Sequence, residues 1–398
     1  MPTLAAQNWS VLPEGCAWRE ICQTAEMFNL IPKVILVKRG LCLLLVGTLN
    51  LPAADQSLPV RGFCIASPSG NRVDEFIKFI EEELAPRSVN VLILRVDYSF
   101  QFLSRPEMAD KNGLSKEQAQ KLSAACKRHQ IRIIPLVNLL GHQSWQSYCG
   151  KLLKAHPEFD ETPEVKFPEK YAWPNPDKLY CKSYCPRHPK VHEVVFALVD
   201  EVCEAFEADG FHAGMDEVFY IGEDQCPRCK GRNKAELFAD EVRAIRDHLQ
   251  PSKRQLWLWG DRLLDGKLTG LGEWEGSRND THPAVDLIPK DVVICDWHYP
   301  RADQTAVYFA MKGLDVVSCS WKNPEAATAQ VKDMVRFRES STPQMKQHFQ
   351  GVVQTIWSGA GGFIDQYYGR RPANDQKNPG HTEAKCFVRM FEEIANLK

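Results

Sequence analysis

Eight short apolar runs rich in β-branched residues alternate with amphipathic stretches from about residue 58 to the end of the chain. The runs predict eight strands: Val60–Ala66, Asn90–Tyr98, Ile131–Asn138, Gly210–Asp216, Gln255–Asp261, Asp291–His298, Leu314–Trp321 and Gly351–Ser358. The helical periodicity between them predicts helices over Val73–Leu84, Lys116–His129, Val191–Phe206, Ala235–Leu249, Thr305–Lys312, Ala326–Phe337 and Glu383–Leu397. Eight strand–helix units in one chain of this size indicate an α/β protein, a single (β/α)8 TIM barrel.

A doubly wound open sheet is the other arrangement that alternating strands and helices can form. It requires a glycine-rich phosphate loop after an early strand. The turn after the first predicted strand, Ser67-Pro68-Ser69-Gly70, lacks the spacing of such a loop. We therefore expect the barrel.

The carboxyl ends of the strands form the barrel face on which active sites lie. Polar and aromatic side chains recur at these ends of the predicted strands. They are Asp97, Asn138 with His142, Asp216-Glu217, Trp259 with Asp261, Asp296-Trp297-His298-Tyr299, Trp321 and Trp357. Two long loops, 141–189 and 271–289, interrupt the alternation of strands and helices. Loops of this length in a compact domain usually form lids or walls of a site.

The charge balance and the aromatic content bear on the class of ligand. Lys and Arg number 49 against 51 Asp and Glu, so the chain lacks the basic footprint of a protein that binds nucleic acid or an anionic membrane. Ten tryptophans and ten tyrosines suit a sugar ligand, because aromatic rings cover the flat apolar faces of sugar rings. We expect a glycan or glycoside substrate and no cofactor. The oligomeric state stays open.

The segment Gly210–Val218 ends an apolar strand with the adjacent carboxylates Asp216 and Glu217. It resembles the signature of glycoside hydrolase family 20, the β-N-acetylhexosaminidases, in which Asp-Glu follows a small residue at the end of the fourth barrel strand. The resemblance extends over about residues 58–398. It includes Arg-Gly-Phe at 61–63, Pro-Leu-Val-Asn-Leu-Leu-Gly-His at 135–142 and Trp-Gly-Asp at 259–261.

The resemblance implies a glycoside hydrolase that removes β-linked N-acetylhexosamine residues by substrate-assisted retaining catalysis. Glu217 would protonate the leaving oxygen and later activate water. The 2-acetamido oxygen of the substrate would attack the anomeric carbon, and Asp216 would hold the acetamido N–H. The substrate-binding residues implied are Arg61, Asp97, Asn138, His142, Trp259, Asp261, Trp297, Tyr299, Trp321 and Trp357. The four tryptophans are predicted to stack on a sugar ring, and Arg61 to bind its hydroxyls.

Three strand ends depart from the family pattern. Asn138 stands where the family usually has Asp, which predicts altered contacts around the general acid. The seventh strand ends in Ser320-Trp321 rather than in the tyrosine that binds the acetamido oxygen, a role that Tyr299 could take. The eighth strand ends in Trp357-Ser358-Gly359, without the family's acid for an outer hydroxyl.

The residues at the predicted strand ends are also compatible with other functions. A retaining glycosidase would use a separate carboxylate nucleophile, such as Asp261 or Glu273. A carbohydrate-binding barrel without turnover would fit the altered third and eighth strands. A zinc-dependent hydrolase built on the cysteine cluster is disfavoured, because all-thiolate zinc sites are closed and structural.

Two closely spaced cysteine pairs flank the catalytic pair in sequence, Cys181 with Cys185 and Cys226 with Cys229. They could bind a structural zinc ion, form disulfides or remain free. Cysteines within predicted strands and helices are expected to be buried free thiols. These are Cys64, Cys126, Cys203, Cys295, Cys319 and Cys386.

The first 54 residues differ in composition from the rest of the chain. Lys38 and Arg39 precede the apolar run 41–46, and small residues follow it, which is the layout of a secretory signal peptide. The run is too short to indicate a transmembrane helix. We expect residues 1–54 to be a leader that contains a signal peptide and residues 55–398 to be the catalytic domain. The protein would then be exported, to the periplasm or outside the cell, with no membrane partner beyond the leader.

Overall fold

The computed structural model describes residues 57–371 and 380–397. Eight parallel strands form a closed barrel in the order β1-β8-β7-β6-β5-β4-β3-β2. Their bounds are β1 Val60–Ala66, β2 Val91–Arg95, β3 Arg132–Leu139, β4 Gly210–Gly214, β5 Gln255–Trp259, β6 Val293–Trp297, β7 Asp315–Ser320 and β8 Phe349–Thr355. The predicted (β/α)8 barrel and all eight strands are confirmed.

Helices surround the barrel. They are α1 Val73–Phe79, α2 Lys116–Arg128, α3 Lys151–Ala155, α4 Val191–Ala205, α5 Lys234–Leu249, α6 Thr305–Met311, α7 Pro324–Ser340, α8 Pro343–Lys346, α9 Ala360–Tyr367 and α10 Glu383–Ala395. Polar side chains begin several of them: Ser115 forms a capping box with Gln118 before α2, and Asn323 accepts backbone N–H groups before α7. Within the described ranges no helix is long and apolar enough to cross a membrane.

Side-chain alternation along each strand separates two apolar layers. On β1, Val60 and Cys64 lie inside the barrel, whereas Phe63 and Ile65 pack against the helices. Phe63 contacts Phe387 of α10 with ring centroids 5.1 Å apart. Apolar side chains therefore fill the barrel up to its rim, where polar side chains replace them.

The connection from β5 to β6 differs from the repeating pattern. Between these strands the described chain has two 3₁₀ helices, Asp261–Leu263 and His282–Asp286, and no α-helix. Five glycines, at 260, 266, 270, 272 and 276, lie in this stretch and disfavour helix. The predicted long loop 271–289 thus belongs to a crossover on the rim that contains no α-helix within the described residues.

The cysteines expected to be buried free thiols are buried, and no disulfide joins any cysteine within the described residues. The predicted leader, residues 1–54, lies outside the described residues. The boundary between leader and catalytic domain therefore stays a prediction.

Candidate active site

The adjacent carboxylates Asp216 and Glu217 both reach the rim because the chain leaves strand geometry before them. β4 ends at Gly214, and backbone φ is +68° at Gly214, +64° at Met215 and +49° at Glu217. Only glycine fits at 214, since a Cβ there would lie 2.0 Å from Asn138 Oδ1. Left-handed backbone at non-glycine residues is costly and clusters at functional sites.

His142 bridges the two carboxylates. Its Nε2 lies 3.2 Å from Asp216 Oδ2 and 3.2 Å from Glu217 Oε2, and all three side chains are largely buried. The other oxygen of Asp216, Oδ1, is buried and has no hydrogen-bond partner among the described residues. A buried acceptor without a donor is unfavourable, so a ligand N–H or O–H at this point would satisfy it.

The surroundings shift the pKa values of the two carboxylates in opposite directions. Burial raises the pKa of Glu217, more than the neighbouring His142 lowers it, and the negative charges of Asp216 and Asp261 add to the rise. Burial also opposes ionisation of Asp216, but the charge of His142 and its hydrogen bond outweigh it and hold the pKa of Asp216 below the usual range. Burial alone would lower the pKa of His142, yet Asp216 raises it well above the usual range. The surroundings therefore shift Glu217 toward its protonated form and shift Asp216 and His142 toward their charged forms.

Asp261 lies behind Glu217. Its Oδ2 accepts the Glu217 backbone N–H at 2.9 Å and the Arg262 Nε–H at 2.6 Å, and its Oδ1 accepts the Trp297 indole N–H at 3.2 Å. Arg262 is itself held by the carbonyl oxygens of Glu273, Trp274 and Gly276. The loop after β5 thus fixes the backbone of Glu217.

Comparison with known proteins assigns this barrel to a protein family. The model of "Glycosyl hydrolase family 20, catalytic domain" matches residues 98–360, which is more than half of the chain. The chain belongs to glycosyl hydrolase family 20. The family's enzymes are glycoside hydrolases.

The individual relatives share only a small part of their sequence with this chain. Hexosaminidase D of Bos taurus is 27% identical over 163 residues, which cover 39% of this chain and 41% of the relative. Chitobiase of Flavobacterium johnsoniae superposes with a TM-score of 0.58 at 17% identity, over 85% of this chain and 50% of that one. A β-N-acetylhexosaminidase from Bacteroides fragilis gives 0.56 at 16% identity, over 85% and 66% of the chains. At these identities the solved structures show a shared fold.

The four rim tryptophans of this family 20 barrel form one aromatic cluster with Tyr299. The Tyr299 ring stacks on Trp297 with centroids 5.0 Å apart and lies 5.4 Å from Trp321. Its hydroxyl accepts the Trp357 indole N–H at 2.8 Å, and Trp357 contacts Trp259 at 5.8 Å. Burial raises the pKa of Tyr299, which keeps its proton available to a ligand. That the cluster stacks on a sugar remains a prediction.

The prediction that Arg61 points into the pocket is wrong. Its Nε donates to Ser88 O at 2.8 Å and its Nη1 to Leu58 O at 2.9 Å. Arg61 is the second residue of β1, so it lies at the end opposite the rim, and its neighbours Val60 and Gly62 occupy the inward positions. The motif match gave the residue type but not the side-chain direction.

Arg95, which the sequence reasoning missed, is the arginine at the rim. It is the last residue of β2, and its guanidinium carbon lies 4.5 Å from the centre of the Trp357 ring. Its Nη2 donates to Ile356 O at 3.1 Å, whereas its buried Nε has no hydrogen-bond partner among the described residues. A charged side chain at the end of the apolar run Val91–Leu94 was the signal that could have identified it.

Asp97 and Asn138 support the rim from β2 and β3. Asp97 Oδ1 accepts both the backbone N–H and the side-chain N–H of Asn138, at 2.9 and 3.0 Å. Burial raises the pKa of Asp97, against the lowering effect of Arg95. Asn138 thus pairs with Asp97, whereas its own Oδ1 is buried without a hydrogen-bond partner among the described residues, and the altered contacts around Glu217 stay a prediction.

Glu383, at the start of α10, lies beside the end of β8. Its Oε1 accepts the Trp321 indole N–H at 2.7 Å and the Trp357 backbone N–H at 2.8 Å, and its Oε2 bonds to the Ser358 hydroxyl. A carboxylate from another segment of the chain therefore lies at the end of β8. No local sequence signal indicated it, because it comes from a segment 25 residues later in the chain.

Aromatic side chains of the two long loops, together with Phe219 of the loop after β4, contact one another near Asp216 and Glu217. Trp145 stacks on the His142 ring at 5.9 Å and contacts Tyr180 at 4.9 Å. Trp173 contacts Trp274 at 5.2 Å, which joins loop 141–189 to loop 271–289. We refer to Trp145, Trp173, Tyr180, Phe219 and Trp274 as the loop aromatics.

The predicted zinc ligands Cys181, Cys185, Cys226 and Cys229 do not form one set. Cys181 Sγ lies 3.3 Å from the carbonyl oxygen of Glu217. The other three meet Glu161 in a separate buried cluster. Cys181 is not part of that cluster.

Proposed function

We propose that this family 20 protein removes β-linked N-acetylhexosamine residues by substrate-assisted retaining catalysis. The observation that carries the proposal is the carboxylate pair, with His142 Nε2 3.2 Å from both side chains and Asp216 Oδ1 buried and unpartnered among the described residues. Two carboxylates whose surroundings favour opposite protonation states provide an acid and a charged partner at one place.

In the first step, Glu217 donates its proton to the glycosidic oxygen as the bond to the anomeric carbon breaks. The 2-acetamido oxygen of the same sugar forms the new bond to that carbon. Asp216 accepts the acetamido N–H at Oδ1 and offsets the positive charge that spreads onto the acetamido group. Glu217 leaves this step as a carboxylate, and the intermediate is a cyclic oxazolinium ion.

In the second step, water replaces the aglycone beside Glu217. The Glu217 carboxylate takes a proton from the water as its oxygen bonds to the anomeric carbon, and the ring opens to restore the acetamide. Two displacements at one carbon give net retention. Tyr299 would donate a hydrogen bond from its hydroxyl to the acetamido oxygen, and Arg95 would offer its Nε–H to a sugar hydroxyl.

The alternative of Asp261 as an enzyme nucleophile fits the contacts less well. Both of its oxygens already accept hydrogen bonds, from Glu217, Arg262 and Trp297. A carboxylate held in this way is a positioning group, since attack on the anomeric carbon would break contacts that hold the general acid.

A panel of nitrophenyl β-glycosides tests the proposal. We expect turnover of the 2-acetamido-2-deoxy glucoside or galactoside, and weak turnover of matched glycosides with a 2-hydroxyl. A thiazoline mimic of the cyclic intermediate should inhibit competitively. Better turnover of the 2-hydroxyl glycosides, without thiazoline inhibition, would favour an enzyme nucleophile instead. Binding of N-acetylglucosamine without hydrolysis of any substrate would favour a carbohydrate-binding barrel.

A further inference from the structure

A second polar cluster lies apart from the catalytic pair, where the loop after β3 meets the loop after β4. The sulfurs of Cys185, Cys226 and Cys229 and a carboxylate oxygen of Glu161 lie within 4.8 Å of one another, and all four residues are buried. Cys185 Sγ is 3.5 Å from both Cys229 Sγ and Cys226 Sγ. The mechanism proposed above uses none of these groups.

Glu161 has an unsatisfied oxygen. Its side chain is fully buried, and Oε1 accepts the backbone N–H groups of Gly222 and Glu223 at 2.9 and 3.2 Å. Oε2 is buried and has no hydrogen-bond partner among the described residues. A buried carboxylate with a free oxygen next to three thiols is expensive in a protein interior unless a cation is present.

We propose that Glu161, Cys185, Cys226 and Cys229 bind one structural zinc ion. Zinc takes four ligands in a tetrahedron, with sulfur at about 2.3 Å and carboxylate oxygen at about 2.0–2.2 Å. The edge between two sulfurs of such a tetrahedron is about 3.8 Å, close to the 3.5 Å separations in this cluster. Three thiolates favour zinc over the hard cations calcium and magnesium. The four protein ligands leave no open position, which fits a structural rather than a catalytic ion.

Backbone N–H groups approach two of the three sulfurs. The N–H groups of Arg228 and Cys229 point at the Cys226 sulfur, and that of Arg187 points at the Cys185 sulfur. Such outer contacts orient metal ligands and stabilise their charged form. A disulfide would use two of the three sulfurs and would leave the buried Glu161 carboxylate without a cation.

The ion would join the two loops that carry most of the loop aromatics. Glu161 and Cys185 belong to loop 141–189, which holds Trp145, Trp173 and Tyr180. Cys226 and Cys229 lie on the loop after β4, which holds Phe219. A metal that binds the folded loops and not the unfolded chain stabilises that arrangement.

Metal content of the full-length protein tests the proposal directly. After expression with added zinc and gel filtration, mass spectrometry of the metals should find one zinc ion per chain. A mercurial thiol reagent should release it to a metallochromic indicator. Cobalt-substituted protein should show thiolate-to-cobalt charge transfer and the visible bands of tetrahedral cobalt. Thiols that stay reduced but bind neither metal, or an intact mass that shows a disulfide among the three cysteines, would overturn the proposal.

Variants define the ligand set. Cys229→Ser should lose the metal, and Glu161→Gln should weaken zinc binding at least about 10–100-fold, the loss that even an outer-shell change can cause. Cys181→Ser is the matched control, because this buried thiol of the same loop lies outside the cluster, and it should keep one zinc. Metal loss in Cys181→Ser with retention in Cys229→Ser would contradict the assignment. If Cys229→Ser does not fold, the wild-type stoichiometry and the Glu161→Gln titration still decide the question.

Discussion

The backbone N–H of Glu217 donates to Asp261 Oδ2 at 2.9 Å, so a carboxylate that follows β5 fixes the residue at the end of β4. Asp261 and Arg262 form an almost completely buried ion pair at 2.6 Å. Because Glu217 has a left-handed backbone, this hydrogen bond helps to hold a conformation that the residue would not adopt alone.

Asp261→Asn should therefore affect both stability and catalysis. One amide oxygen cannot accept from Glu217, Arg262 and Trp297 together, and the buried Arg262 charge loses its counterion. Breaking a buried pair costs about 3–5 kcal/mol, so the free energy of unfolding in urea should fall by that order. Turnover at saturating substrate should fall as well, because Glu217 loses its positioning contact.

The matched control is Asp240→Asn, which breaks an exposed pair with Arg243. Exposed pairs contribute about 0–1 kcal/mol. Equal, small effects of the two substitutions would show that Asp261 does not hold Glu217 in place.

The barrel was predictable because its signals are local. Strand runs, helical periodicity and the lack of a phosphate loop depend on neighbouring residues, and the family motif marks where β4 ends. The ends of elements were less predictable: Asp216 was assigned to a strand that stops at Gly214. The reason is tertiary, since the chain at residue 214 packs so closely against Asn138 of the neighbouring strand that only glycine fits there.

The site was predictable where the motif fixes both residue and position, as for Asp216, Glu217 and His142. The site was not predictable where a residue's place in it depends on the direction of its side chain or on a segment far away in the sequence. Arg61 has the right residue type but lies at the wrong end of β1, and Glu383 comes to the end of β8 from α10. Contacts between segments far apart in sequence leave no local pattern.

Arg95→Ala and Arg61→Ala should separate these two arginines. Arg95 lies over Trp357 at the rim, and hydrogen bonds to charged groups contribute about 1.5–3 kcal/mol, so its loss should lower kcat/KM about 10–100-fold. Arg61→Ala should leave kcat/KM unchanged and lower stability by about 1–3 kcal/mol, because the carbonyls of Ser88 and Leu58 lose their donor. The reverse pattern in glycoside assays and urea titrations would restore Arg61 to the site.

Glu217→Gln should lose activity in a manner that depends on the leaving group. General acid catalysis contributes about 10²–10⁴-fold, and hydrolysis of a poor leaving group should fall by that order. The first step with an activated nitrophenyl glycoside needs less protonation and should suffer much less. Burst kinetics of nitrophenol release measures that step. An equal loss for good and poor leaving groups would contradict the role of Glu217 as the acid.

Asp216→Asn should reduce the rate for every leaving group. It removes the negative charge that offsets the developing oxazolinium ion, an effect on the order of 10²–10³-fold for one preorganised electrostatic contact. Any residual turnover of glycosides that lack the 2-acetamido group should be indifferent to the change. A loss that depends on the leaving group, as in Glu217→Gln, would indicate that Asp216 acts on the aglycone instead.

The pH dependence of kcat/KM should follow the opposite pKa shifts of the pair. In the proposed mechanism, the active form has Asp216 ionised and Glu217 protonated. Because the pKa of Asp216 is lowered, activity should persist to more acidic pH than an ordinary aspartate would allow. Because burial raises the pKa of Glu217, the alkaline limb should lie above the ordinary range of a glutamate, and activity should fall as pH rises through it.

Two variants test which group sets each limb. Glu217→Gln should abolish the alkaline limb in single-turnover measurements with an activated glycoside, because the titrating acid is gone. His142→Gln should move the alkaline limb to higher pH, since the positive charge of His142 lowers the pKa of Glu217. It should also move the acidic limb up, since the same charge holds the pKa of Asp216 down. An alkaline limb that survives in Glu217→Gln, or limbs that do not move in His142→Gln, would show that other groups control the reaction.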